Sequence, residues 1–231
     1  LLKPLGLLKL IWALFASIPD QVQVIRRFGP NTVWANTLTQ PHWLAIARLF
    51  RIATVCHVRE AENGRSGIVR SVLLAPLNLA RLVLVNSEAT RLFVLGTPVY
   101  RSSARVQVLY NGKDWSPYFR TAPRRLDKEG VELVCVGRLN PRKGQDLVLE
   151  AMVQLRDKGI SLNLVVVGDV YPGYEWYRDQ LHSVARENEL CDHVTFVGFV
   201  DDPSEYLANS DIVIVPSRVE PFGTVAAEAM A

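Results

Sequence analysis

Apolar residues recur along this chain in two alternating rhythms. Short runs of Val, Ile and Leu are followed by longer stretches in which apolar positions return every three or four residues. The first rhythm is that of a buried strand, the second that of a helix with one apolar face. In the first half, strands are expected at residues 32–35, 52–57, 82–86 and 106–109, with helices at 41–50, 67–79 and 88–95. Asn86-Ser87 reads as a helix cap ahead of Glu88, which places an acid in the first turn. The second half repeats the alternation, with strands at 131–136, 162–167, 193–197 and 211–215. Its helices are expected at 145–158, 174–189 and 203–208, and another starts at about Gly223. Strand–helix alternation of this kind builds parallel sheets covered by helices. The expected fold class is α/β: two Rossmann-like domains whose parallel sheets face a cleft.

Between the halves the texture changes. Asn111-Gly112 is a turn signal, and Asp114, Pro117, Pro123, Arg124, Arg125, Asp127 and Lys128 form a polar stretch broken by prolines. The expected division is an N-terminal domain at 1–112, a linker at 113–130 and a C-terminal domain at 131–231. The apolar stretch 5–18 is interrupted by Lys9 and is too short to span a bilayer, and no small-residue cleavage site follows it. Two readings of it stand: a helix facing the core, or a peripheral helix on a membrane surface with Lys3 and Lys9 near lipid phosphates. The chain starts without Met and stops inside a helical pattern, as a fragment would.

Composition narrows the function without naming it. Apolar residues make up 49% of the chain and charged ones 21%, a globular balance. A net charge of +3, with no basic run interleaved with aromatics, gives no footprint for nucleic acid. Cys56, Cys135 and Cys191 lie far apart without metal-ligand spacing, and read as small core residues in a reducing, cytoplasmic setting. Oligomeric state is not legible from these features.

Three expected strand ends carry polar or glycine-rich chemistry. Gly137 would let a ligand approach the backbone, and Arg138 and Lys143 flank the loop that follows. Two cations so placed can converge on a diphosphate, Arg as a planar fork and Lys as a point charge, although solvated loop charges fit the residues equally well. After the strand at 211–215 come Glu220, Pro221, Phe222, Gly223, Thr224 and Val225, then Glu228 on the helix. Glu228 is expected roughly 7–8 Å along the helix axis from Gly223. A loop carboxylate, a helix end able to take phosphate and a second carboxylate would then line one side of a groove. At the third strand end, Gly198 precedes Phe199 and Val200, whose backbone could meet a nucleobase edge. A plain strand-to-loop turn fits that stretch as well.

At these residues the chain resembles the retaining glycosyltransferases of family 4, which have the GT-B fold. The resemblance rests on Gly137-Arg138 with Lys143-Gly144 and on Glu220 and Glu228. Asn111-Gly112 with Asp114, Val166-Val167-Gly168-Asp169 and Pro216-Ser217 support it. It implies that Arg138 and Lys143 neutralise the donor diphosphate and that Glu228 holds the ribose. It also implies that Glu220, with backbone of Phe222, Gly223, Thr224 and Val225, holds the donor sugar and the phosphate beside it. His57 looks like the family's strand-end histidine near the transferring sugar. The family's first strand and glycine-rich loop are not seen at the start of this chain, which leaves the activity of the chain in isolation open.

The expected chemistry is therefore sugar transfer from a nucleoside diphosphate sugar to a glycan or lipid-linked acceptor. By the resemblance it proceeds with retention. Arg138 and Lys143 would stabilise the leaving nucleotide in place of a metal, and no other cofactor is expected. An epimerase or phosphorylase of the same fold, or a non-catalytic nucleotide-sugar-binding subunit, are the alternatives.

Overall fold

The structure is a computed structural model that describes residues 16–61, 67–101, 105–119 and 130–231. Lys3, Lys9, most of the apolar stretch at 5–18, and residues 120–129 of the expected linker lie outside the described residues. The chain divides into two compact units, Leu1–Asn111 and Gly112–Ala231.

Among the described residues, α1 (Ile18–Phe28) begins where the apolar stretch ends. Pro19 suits the first helical turn, where its missing N–H goes unnoticed, and Gly29 ends the helix at φ 52°, its N–H bonded to the Ile25 carbonyl. Beyond it, β1 (Thr32–Ala35), β2 (Ala53–Val58), β3 (Leu82–Val85) and β4 (Val106–Val108) form a parallel sheet in the order β1-β2-β3-β4. The intervening helices are α2 (His42–Leu49), α3 (Gly67–Leu74) and α4 (Glu88–Leu95). The helix expected at 67–79 stops at Leu74 and tightens into a 3-10 turn, Ala75–Leu79. Pro76 cannot donate to the preceding turn, so the α-helical ladder ends there. Ser87 caps α4 as expected, its hydroxyl accepting from the Thr90 N–H at 3.0 Å.

In the second unit, β5 (Val131–Val136), β6 (Leu162–Val167), β7 (Val194–Gly198) and β8 (Ile212–Val213) are parallel in the order β7-β6-β5-β8. Strand period two sends alternate β5 residues to opposite faces. Leu133 and Cys135 enter a core with Val148, Leu149 and Met152 of α5 (Gln145–Arg156) and with Tyr177, Leu181 and Ala185 of α6 (Glu175–Glu187). Val134 and Val136 face the other way, towards Leu207 of α7 (Ser204–Asn209) and Val225 of α8 (Thr224–Met230). The strand expected at 211–215 is laddered only at Ile212–Val213. It is an edge strand among the described residues, pairing with β5 alone, and just beyond it the Ile214 N–H still reaches the Val134 carbonyl at 2.8 Å.

The expected linker contains a built piece. Ser116–Tyr118 forms a 3-10 turn, and Tyr118 packs on the core face shared by Val134, Val136 and Leu207. Of the cysteines, Cys56 and Cys135 are buried in β2 and β5, and burial pushes each thiol up to about 12. Cys191 is exposed. No described helix is long and apolar enough to cross a membrane.

Three adjacent strands end in glycine with left-handed backbone: Gly137 at φ 145°, Gly168 at φ 137° and Gly198 at φ 85°. The Gly137 N–H bonds to the Val167 carbonyl and the Gly168 N–H to the Gly198 carbonyl, both at 2.8 Å. A Cβ on Gly168 would sit 2.2 Å from the Gly137 carbonyl oxygen. Gly168→Ala is expected to destabilise the fold by about 2–4 kcal/mol. Gly159→Ala, with φ 78° and nothing within 4 Å, should lose only about 1 kcal/mol. Chemical unfolding that finds the two variants equal would refute the close-contact explanation.

Candidate functional site

The order β7-β6-β5-β8 makes a switch point. From β5 the chain builds outward through β6 and β7, then returns to β5's other side as β8. The helices that follow β5 and β8 therefore pack on opposite faces of the sheet, and the loops leading to them meet at the strand ends, where open α/β sheets gather ligands. The loop after β5 carries Arg138 and Lys143, and the loop after β8 carries Glu220.

These loops press together. Gly144, the N-cap of α5, has φ 72°, and a Cβ there would lie 2.3 Å from the Pro216 carbonyl oxygen. Within the first loop, the Asn140 side chain accepts from the Arg142 N–H at 3.0 Å, a local turn that raises Lys143 beside Gly137. The Lys143 stem passes 3.9 Å from where a Gly137 side chain would start. Gln145, 2% exposed, donates its amide to the Arg138 carbonyl at 3.0 Å and pins the loop from below.

Lys143 Nζ donates to Glu220 Oε2 at 2.7 Å, and Ser217 Oγ donates to the same oxygen at 2.9 Å. The Arg138 guanidinium carbon lies over the Tyr171 ring, 3.4 Å from its centroid. Among the described residues Arg138 forms no ion pair, so its N–H edges stay unspent. Arg138, Lys143 and Glu220 line one cavity of about 290 Å³, with Tyr171 and Tyr174 on its rim. A second cavity of about 420 Å³ shares Arg138 and Tyr171 and is walled by Gly137, Gly168, Phe199 and Val200.

The structure thus brings Arg138, Lys143 and Glu220 together and sets Phe199 and Val200 next door. Glu228 lines neither of these two cavities, and its side chain is 6% exposed. Its carboxylate accepts from Lys113. Lys113 also donates to Tyr118 Oη at 2.5 Å, and these bonds hold its ammonium above its usual range against the cost of desolvation. The cause lies in the helix itself. Glu228 falls a full turn beyond Gly223, on the α8 face that the 113–118 segment covers. Phe222 and the N-cap Gly223 lead into α8, which Thr224 and Val225 open. Gly223 has φ 84°, caps with no side chain, and has the Glu220 Cγ 3.4 Å from its missing Cβ. Those four residues line neither cavity.

His57, in the first unit, is 8% exposed and packs edge-on to Trp34 with ring centroids 6.3 Å apart. Its Nε2 is buried without a partner among the described residues. Desolvation first, then the Arg59 cation, hold its pKa below the usual histidine value, with Glu60 opposing. Sequence reasoning missed Lys113, hidden in an expected linker, and Tyr171, whose signal was an aromatic two residues after Gly168-Asp169. Among the described residues no cluster of three or more His, Cys, Asp or Glu forms a metal site.

Residues 121–231 match the family "Glycosyl transferases group 1". A glycogen synthase of Mycobacterium tuberculosis is 29% identical, over 90% of this chain and 53% of its own length. A GDP-mannose-dependent alpha-(1-6)-phosphatidylinositol monomannoside mannosyltransferase of the same species is 35% identical, over 90% and 58%. Anabaena Alr3699/HepE, solved with UDP-glucose, superposes with a TM-score of 0.78 at 26% identity, over 99% of this chain and 62% of that one. The chain thus spans little more than half the length of these relatives, and its fold is that of GT-B glycosyltransferases. Over residues 121–231 the chain is thus similar to the glycosyl transferases group 1 family.

Proposed function

We propose that this chain carries the donor site of a glycosyltransferase that moves a sugar from a nucleoside diphosphate sugar to a glycan or lipid-linked acceptor. The observation that carries this reading is the meeting of Arg138, Lys143 and Glu220 around one cavity at the switch point of the second sheet. The Anabaena relative binds UDP and UDP-glucose, and the two mycobacterial relatives are named for a glycogen product and a mannolipid product, which supports the donor and acceptor classes.

The bond to be broken joins an anomeric carbon to a diphosphate. As it lengthens, the sugar gains positive character and the departing phosphate gains negative charge, so fixed donors aimed at that phosphate lower the barrier. Arg138 is ready for this: its guanidinium rests on Tyr171 and its N–H groups stay available. Lys143 must exchange partners. Its pair with Glu220 is about a quarter to a third exposed (30% and 26% for the two side chains), a setting in which an ion pair contributes about 1 kcal/mol or less. A charge-assisted bond to a ligand phosphate is worth about 1.5–3 kcal/mol. The phosphate therefore wins the ammonium, and Glu220 is released to accept from a sugar hydroxyl. Both of its contacts use Oε2, so Oε1 is already unoccupied among the described residues.

The second cavity, floored by Gly137 and Gly168 and walled by Phe199 and Val200, suits the flat nucleobase. Glu228 would take the ribose hydroxyls once its carboxylate is shared with, or surrendered by, Lys113. The two cations supply the charge neutralisation that a divalent metal supplies elsewhere, so the reading includes neither metal nor other cofactor. Attack from the face the nucleotide leaves, with retention, completes it, and this step rests on the family resemblance.

Arg138→Ala and Lys143→Ala are each expected to weaken UDP or GDP binding about tenfold or more, measured by calorimetry. Unchanged affinity in both variants would remove the diphosphate assignment. Glu220→Ala should lower turnover about a hundredfold while nucleotide affinity moves far less; a loss confined to affinity would contradict its role. Adding EDTA should leave donor turnover unchanged, and a loss restored by Mg2+ or Mn2+ would overturn the metal-free mechanism.

A further inference from the structure

We propose that Arg218 is a positioning residue that sets the distance between Lys143 and Glu220. The proposal rests on the donor-site reading above and adds a residue that touches neither cavity.

Arg218 lies two positions before Glu220, on the loop that leaves the edge strand β8. With so short a strand behind it, that loop needs another anchor. Arg218 supplies four bonds. Its backbone N–H donates to the Arg142 carbonyl at 2.8 Å, and its Nη1 donates to the Pro141 carbonyl at 2.6 Å. Its guanidinium then forks onto Asp146, Nη1 to Oδ1 at 2.8 Å and Nη2 to Oδ2 at 2.6 Å. A two-pronged guanidinium–carboxylate contact fixes rotation as well as separation, which a single bond does not.

Asp146 is in turn held from the core. It sits in the first turn of α5, three positions after Lys143. Tyr177 of α6, 2% exposed, donates its hydroxyl to Asp146 Oδ1 at 2.8 Å. Arg218 is the leading cause that keeps the Asp146 carboxyl below the usual carboxylate range, and the Tyr177 bond adds to it against desolvation. A continuous line of bonds therefore runs from the buried core through Tyr177 and Asp146 to Arg218, and by the chain to Glu220. At their other contact the same loops are stopped by Gly144 against Pro216. Between the stop and the clip, Lys143 and Glu220 meet at 2.7 Å.

The Arg218 side chain is 41% exposed, so deleting it removes little folding stability, and its effect falls on the geometry of the site. Displacements of about 1 Å at a reacting centre can lower rates about a hundredfold. Arg218→Ala in the full chain should therefore lower donor turnover between about tenfold and about a hundredfold, with the donor KM changed less than about threefold. Arg218→Lys should stay close to Arg218→Ala, because an ammonium cannot grip both carboxylate oxygens, and added guanidinium ion should restore part of the loss. In a Glu220→Ala background Arg218→Ala should cost less than about twofold, since the group it places is gone. An equal loss in both backgrounds, or full activity of Arg218→Lys, would overturn the proposal. A separate arm needs no chemistry: the NMR signal of the Lys143 ammonium should shift in Arg218→Ala and in Asp146→Asn. An unmoved signal refutes the clip, whereas a moved signal beside unchanged nucleotide affinity in both Arg138→Ala and Lys143→Ala counts against the functional reading alone.

Discussion

Backbone packed directly on backbone is the constraint from which the second unit's site follows. At the carboxyl ends of β5 and β6 the Gly137 carbonyl occupies the space where a residue-168 side chain would begin, and the Pro216 carbonyl does the same to residue 144. Side chains are excluded from those points, so the strand ends make a bare floor and the loops above it are forced into a narrow set of paths. Arg138 and Lys143 are thrown upward from that floor. The return of the chain as β8 brings Glu220 to them from the other side. None of this needs a long sheet or a large core; it needs glycines where main chains touch.

The site's charges are arranged in the same economical way. Lys143 holds Glu220 and Lys113 holds Glu228. Arg138 is treated differently, resting on an aromatic face that orients it while consuming none of its N–H donors. The three cations are thus in two conditions, two engaged and one waiting. The engaged pairs differ in burial: the Glu220 pair is open enough to be exchanged cheaply, whereas Glu228 lies nearly out of solvent under Lys113 and Tyr118.

Much of this was legible in the order of residues. Strands β1, β5 and β6 and helix α4 run as the apolar rhythm indicates, because no proline interrupts any of them. The departures have local causes. Pro76 cut a helix that periodicity alone would continue, and β8 shrank because an edge strand is laddered on one side only. The cation pair and Glu220 could be found because loop residues at strand ends are read by position. Spacing from Gly223 locates Glu228 on α8, but spacing along a helix does not announce the Lys113 that bonds to it. Lys113 was invisible for the complementary reason: it sits in a stretch of turn-forming polar residues, and only the fold carries that stretch to α8. Arg218 and Asp146 are far apart in sequence, and no local pattern announces their fork.

The exchangeable contact between Lys143 and Glu220 also shapes how the crevice responds to its surroundings. A lone ammonium loses affinity for an anion steadily as electrolyte is added, because ions in solution screen the only attraction at stake. Here the same screening weakens the internal partnership that the visitor has to displace. On the proposed donor-site reading the two losses would offset each other in part, so the grip on an anionic guest would be buffered against ionic strength by the very acid that competes for it.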